Sequence, residues 1–225
     1  ANPVLLRWSL LKVNNEDHYL AEDLATRAGL LLLDERKLGQ DADPETLKQK
    51  ADKESHNFLM EELASARPEA GVLSEEGSAN PVHPNRSDTN RVWIVDPLDG
   101  TREFGELERD DWAVHVALAI NGLPVVGAVA IPALNLTFST CNDFSEIYQR
   151  TEYEKVRIAV SRSRPPVEAS LVAERLNGEL IEMGSAGAKA MAVVRGKADM
   201  YIHSGGQYEW DNCAPAAVAF AAGLH

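Results

Sequence analysis

Cysteine is scarce: the 225-residue chain has two, Cys141 and Cys213, far apart and outside any CxxC. That excludes a disulfide framework and gives no thiolate zinc site, which fits a reducing cytoplasm. Long apolar runs are missing too. None reaches the length of a membrane-spanning helix. The opening residues, "ANPVLLRWSLLKVNNEDHYL", lack the basic start, apolar stretch and small-residue cleavage site of a secretory signal. No membrane partner is therefore expected. Basic residues are outnumbered, 22 Lys and Arg against 35 Asp and Glu, for a formal net charge of −13. With no basic stripe for a duplex, nucleic acid is excluded as a partner. The same charge repels small anions unless bound cations reverse the local sign. Neither GxxxxGK[ST] nor HExxH occurs, and no repeat or low-complexity segment is visible.

What is present is ordinary globular patterning, 44% apolar and 25% charged. Helical spacing predicts helices over Glu16–Lys37 and Glu45–Ala66, the second stopped before Pro68. "GVLSEE" reads as a short strand ending in carboxylates, and "VWIVD" as a buried strand. "WAVHVALAI", Asn121-Gly122 and "PVVGAVAI" read as a β-hairpin. Asn135–Lys155 is weakly patterned and should hold short strands and a domain boundary. Beyond it strand and helix alternate, ending in the helix "DNCAPAAVAFAAG". The order predicts a layered α/β or α+β fold in two lobes, 1–150 and 151–225.

Acidic residues gather where strands end. Glu75 and Glu76 close one strand, Asp96 another, with Asp99 in the turn just after it, and Asp211 precedes the last helix. Such carboxylates repel one another unless hard cations such as Mg²⁺ sit between them, and the carbonyl of Leu98 could add a ligand. In "DPLDGT", Gly100 lets the backbone approach a ligand, and the N–H groups of Gly100 and Thr101 suit a phosphate. Acidic ligands and a phosphate cradle in one turn are what metal-assisted phosphate-ester hydrolysis needs. An EF-hand does not fit, since Leu107 stands where its last glutamate belongs. The D-x-D-G-T spacing of aspartyl-phosphate enzymes does not fit either.

Asp96–Thr101 "DPLDGT", Ser74-Glu75-Glu76 and Trp210-Asp211-Asn212-Cys213-Ala214 occur in the order seen in the inositol-monophosphatase superfamily, which the chain resembles over about residues 20–225. "TREFGELERDDWAVHVAL", "IAVSRSRPP" and "GSAGAKAMAVVRGKADMYIHSGGQYEWD" are most similar to the CysQ-type 3′(2′),5′-bisphosphate nucleotidases, the actinobacterial branch above all. The resemblance implies an αβαβα sandwich of the sugar-phosphatase type. It implies hydrolysis of the 3′-phosphate of 3′-phosphoadenosine 5′-phosphate (PAP), or of its sulfated relative PAPS, in sulfate assimilation. Two or three Mg²⁺ ions, inhibition by Li⁺, a cytoplasmic homodimer and in-line attack by water without a phosphoenzyme follow from it as well. Glu75, Asp96, the Leu98 carbonyl, Asp99 and Asp211 would hold metal. Gly100 and Thr101 would contact the scissile phosphate. Thr101 and Asp52 would orient and deprotonate the water, with Glu75 also in a catalytic role. Ser161, Arg162, Ser185 and Lys189 would face the substrate. Two departures stand out: Arg164 follows Ser-Arg-Ser where the family often has His, and the chain ends where family members usually continue through another strand and helix.

Each residue also has a plainer reading. Asp211 could cap its helix, and Glu75-Glu76 could be a solvated strand end. Asp52 could pair with Lys48 or His56. Arg162 and Lys189 could be surface charges, His115 a packed or surface histidine, and Trp93, Trp112 and Trp210 core or rim. Alternative activities on the same scaffold are inositol monophosphatase and fructose-1,6-bisphosphatase. A silent nucleotide- or metal-binding module is the alternative of another class.

Overall fold

The computed structural model describes residues 13–39, 41–77, 86–144 and 155–225. Residue 150, where the two lobes were expected to meet, lies outside them. Two helices open the described chain, α1 (Asn15–Leu38) and α2 (Pro44–Ala66). Asn14 caps the first by accepting the N–H of Glu16, and Asp43 caps the second by accepting that of Thr46, with Pro44 in the first helical turn.

A five-stranded sheet follows: β1 (Gly71–Ser74), β2 (Arg91–Asp99), β3 (Ala113–Ile120), β4 (Leu123–Ile131) and β5 (Leu136–Ser139), in spatial order β1-β2-β3-β4-β5. Helix α3 (Thr101–Gly105) lies between β2 and β3. The hairpin expected at Asn121-Gly122 forms there, with positive φ at both residues, as a two-residue turn between twisted strands requires. The second sheet is parallel, β7-β6-β8, from β6 (Arg157–Ser161), β7 (Glu179–Met183) and β8 (Met200–Tyr201). Around it run α4 (Val167–Leu176), α5 (Ala186–Val194) and α6 (Glu209–Ala221).

The period-2 pattern of the strands sorts the core. Trp93, Val95, Val114, Val116 and Leu118 bury against α1 and α2. Ile94, Ala113, Ala117 and Val129 face the other way, toward Met191 of α5 and Ala214 and Val218 of α6. Beyond α5, Ala159 of β6 packs on Ala192, while Ile158 and Val160 pack on Ala169 and Ala173 of α4. The layers are therefore α1/α2, first sheet, α5/α6, second sheet, α4, the expected αβαβα sandwich. Trp93 and Trp112 are core residues. Helix α6 comes from the last part of the chain yet packs across β2, β3 and β4 of the first sheet, which brings Asp211 to the ends of those strands.

Candidate active site

The end of β2 is irregular. Asp96 pairs across to His115 of β3, and pairing resumes only at Asp99 with Ala113. Pro97, which has no N–H to give the ladder, sits in this bulge, and its carbonyl accepts the hydroxyl of Ser55 at 2.8 Å. Asp99 was expected in the turn after the strand; it is the strand's last residue, because the ladder re-forms beyond the bulge. Gly100 then turns the chain at φ 87°, a left-handed conformation costly to any residue with a side chain. The Leu98 side chain is in the core, and its carbonyl accepts the Thr101 hydroxyl at 3.2 Å.

Other elements deliver further carboxylates. Asp52 projects from α2, 9% exposed, with no hydrogen-bond partner for Oδ1. It does not pair with Lys48 or His56: Lys48 bridges to Glu45 at 2.5 Å, and His56 Nδ1 lies 2.9 Å from the Ser74 hydroxyl. Glu75 follows β1 and reaches Asp96. Asp211 is not the N-cap residue of α6 but its third residue, and it does cap the helix start: its Oδ2 accepts the N–H of Tyr208, the N-cap residue, at 2.6 Å.

Their crowding shows in their proton affinities. Burial, and then the charges of Asp99, Glu75, Asp211 and Asp52, push Asp96 well above the usual carboxylate range. Partial desolvation likewise raises Glu75 and Asp211, although Glu75 stands exposed to solvent at the strand end. Burial and the charges of Glu76 and Glu75 push Asp52 up to about 7. Asp99 goes the other way. Burial opposes its charge, but His115, the Ser185 hydroxyl and the Gly187 N–H outweigh that and bring it down to about 2. Its Oδ2 accepts from Ser185 Oγ at 2.5 Å and from Gly187 N–H at 2.9 Å.

Of these carboxylates Asp99 and Asp211 open onto a cleft of about 760 Å³, which Gly100, Thr101, Ser161, Arg162, Ser185 and Lys189 also line. Asp52, Glu76 and Thr101 line a second hollow, of about 340 Å³, so Thr101 borders both. Neither lining includes Glu75, Asp96 or Leu98. Lys189 is no surface charge: it is 4% exposed, and its Nζ donates to the carbonyls of Gly184 and Ser185. Arg162 is occupied by Glu103 at 2.5 Å and by Glu106. Ser161 Oγ accepts the N–H of Arg164.

Sequence reasoning passed over Glu103 and Asp111 at this place, and read His115 only as a packed or surface histidine. His115 is packed, as expected, but it stands beside the acidic cluster rather than in a plain core. Glu103 is buried and holds Arg162. Asp111 accepts the N–H of Gly184 at 2.6 Å and pairs with Arg109. All three lie in the stretch "TREFGELERDDWAVHVAL", whose resemblance marks the segment without singling any of them out.

Asp96, Asp99 and His115 offer ligand atoms within 4.8 Å of one another. Buried carboxylates held together, with an orphaned oxygen on Asp52 nearby, fit a hard divalent cation, which would compensate charge that the protein leaves uncompensated. Fold and centre together define a layered α/β protein with a cation-ready acidic site. The chain belongs to the inositol monophosphatase family, whose sequence model matches residues 14–224. A Mycobacterium bovis protein named 3′-phosphoadenosine 5′-phosphate phosphatase is 45% identical over 205 residues, 88% of this chain and 75% of that one. The Escherichia coli K12 protein named 3′(2′),5′-bisphosphate nucleotidase CysQ is 32% identical, across 78% of this chain and 73% of its own. Among solved structures, CysQ from Bacteroides thetaiotaomicron, 28% identical, aligns over 92% of this chain and 87% of that one with a TM-score of 0.70. Inositol monophosphatase-II from Staphylococcus aureus, 21% identical, aligns over 91% and 80% with a TM-score of 0.71, a likeness of fold. Among the described residues, no helix is long and apolar enough to cross a membrane.

Proposed function

We propose that this chain is a metal-dependent phosphatase that hydrolyses the 3′-phosphate of PAP to AMP and inorganic phosphate. The observation that carries this reading is the gathering of Asp52, Glu75, Asp96, Asp99 and Asp211 beside a cleft whose volume suits a mononucleotide. The 45% identity to proteins named for that reaction supports PAP over sugar phosphates.

We assign Glu75, Asp96, the Leu98 carbonyl, Asp99 and Asp211 to two or three Mg²⁺ ions. When bound, they would acidify water and neutralise phosphate charge. The chain's own residues supply the rest. Gly100 and Thr101 border the cleft and contact the phosphate under attack. Asp52, whose Oδ1 has no hydrogen-bond partner, takes the proton of the entering water, and the Thr101 hydroxyl orients that water. A P–O bond to water forms as the P–O bond to the ribose oxygen breaks; the ribose oxygen takes a proton from solvent as it leaves, and Asp52 returns the proton it accepted to solvent. Ser161, Arg162, Ser185 and Lys189 shape the nucleotide end of the cleft. We further propose two lobes, 1–150 and 151–225, with the site between them, and a homodimer. A cytoplasmic role in sulfate assimilation and sensitivity to Li⁺ belong to the same reading.

The test is phosphate release from PAP, inositol 1-phosphate and fructose 1,6-bisphosphate side by side, with and without Mg²⁺, with Asp99→Asn as the blank. We expect PAP to lead by about a hundredfold or more in kcat/KM, about 2.7 kcal/mol of transition-state discrimination. Sugar phosphates matching PAP would overturn the substrate. No turnover of any would point to a silent binding module.

A further inference from the structure

The proposed reaction gives His115 no part, yet its ring lies 4.0 Å from Asp96 Oδ2 and 3.1 Å from Asp99 Oδ2. It is fully buried on the face of β3 that α6 covers, directly across from Asp96. Its Nδ1 lies 3.0 Å from the Trp210 carbonyl oxygen. A carbonyl only accepts, so Nδ1 carries a hydrogen and donates it. Its Nε2 lies 3.1 Å from Asp99 Oδ2, the oxygen that accepts from Ser185 and Gly187, but has no hydrogen-bond geometry to it and no other hydrogen-bond partner. The turn into α5 is pressed onto the ring: a Cβ at Gly187 would sit 2.1 Å from His115 Nε2. Trp210 is the immediate neighbour of Asp211. One side chain thus spans the strand pair that holds Asp96, the carboxylate of Asp99 and the helix turn that carries Asp211.

We infer that His115 is a positioning residue of the cation centre, setting Asp99 and Asp211 in register with each other. The contacts of Ser185, Gly187 and His115 all fall on Oδ2 of Asp99, which leaves Oδ1 for a cation. The inference rests on the centre being that of a metal-dependent phosphatase. Partners that orient metal ligands from behind typically change metal affinity or activity about 10- to 100-fold when lost.

Two substitutions divide the ring. His115→Asn keeps an amide N–H near Nδ1 for the Trp210 carbonyl and removes Nε2. His115→Gln places a nitrogen near Nε2 and removes the other. Mg²⁺ binding is measured calorimetrically without substrate, PAP turnover across a Mg²⁺ series, and unfolding in EDTA. We expect both variants to bind Mg²⁺ about tenfold or more weakly, and the Mg²⁺ needed for half-maximal turnover to rise by the same factor. The KM for PAP at saturating Mg²⁺ should stay at the wild-type value. Unchanged Mg²⁺ affinity in a folded variant overturns the inference, however much stability is lost. A changed KM with intact Mg²⁺ affinity also overturns it, since the ring would then serve the substrate. If both variants fail to fold, ¹⁵N-histidine-labelled wild type decides: the His115 Nε2 resonance must move with Mg²⁺ occupancy, and an unmoved signal overturns the inference. Wild type that binds Mg²⁺ but releases no phosphate sinks the proposed function alone, and the binding data still judge His115. Wild type that binds no Mg²⁺ overturns both.

Discussion

Ser185 donates its hydroxyl to Asp99 at 2.5 Å across 86 positions of the chain. Asp99 ends a strand of the first sheet, and Ser185 stands at the turn from the second sheet into α5. Ser185 holds φ 44°, an uncommon conformation for a residue with a side chain, and its neighbours hold it there. Its Oγ accepts the N–H of Ala188, its carbonyl accepts from Lys189, and the preceding Gly184 is tied to Asp111. The strongest acid of the cluster is therefore oriented by the other half of the fold.

Asp99→Asn should keep that architecture, because an amide oxygen can still accept from Ser185 and Gly187. It removes the charge. We expect kcat/KM for PAP to fall more than about 100-fold, beyond what losing an outer contact costs. Circular dichroism and gel filtration should match wild type. Retained turnover would remove Asp99 from the centre.

Arg162 joins the loop after β6 to Glu103 of α3, and Glu103 is 5% exposed. Arg162→Met leaves that carboxylate buried and unpaired, which we expect to cost about 3 kcal/mol. For a chain of this size that lowers Tm by roughly 6–12 °C. Adding Glu103→Gln should recover part of the loss, because the stranded charge goes with it. Equal melting of the single and double variants would show that the pair carries no coupling.

Much of this could be read along the chain because its causes are local. Alternation marked β2, β3 and β4, Asn121-Gly122 marked the hairpin, and Asp96–Thr101 marked the end of the key strand. Lys189 was harder. Nothing near it distinguishes a surface lysine from one sealed under Tyr201, 5.3 Å from its ring. Arg162 was placed at the cleft, but its commitment to Glu103 depends on how α3 docks. His115 could be read as a packed or surface residue but not placed at the centre: its partner carbonyl lies 95 residues away, and only the packing of α6 brings the two together. The bulge at Pro97-Leu98 was invisible for a related reason, since a bulge is a property of two strands and not of one.

Mg²⁺ should stabilise the protein as well as activate it. Asp96, Glu75 and Asp211 all hold protons more tightly than free carboxylates, the mark of a site short of positive charge. A ligand that binds only the folded state at 100 times its Kd adds about 2.7 kcal/mol. Thermal scans should therefore show Tm rising by roughly 5–10 °C from EDTA to saturating Mg²⁺. Asp99→Asn should show little of that rise. A wild-type Tm indifferent to Mg²⁺ would count against any cation at this centre.

Asp52 sets activity against stability. Its carboxyl sits at about 7 in the fold against 3.8 for an ordinary aspartate, because burial and then the charges of Glu76 and Glu75 disfavour ionisation. The folded state therefore holds the extra proton between these values, and stability falls as pH rises through that window. The penalty is absent below about pH 4 and complete above about pH 7, with a ceiling on the order of 4 kcal/mol. Asp52→Asn cannot ionise and escapes it. In EDTA its Tm should match wild type near pH 4 and exceed it increasingly toward pH 8, while PAP turnover with Mg²⁺ collapses. A variant less stable than wild type at pH 8 would mean that Asp52 has a favourable partner there and is not the strained base proposed.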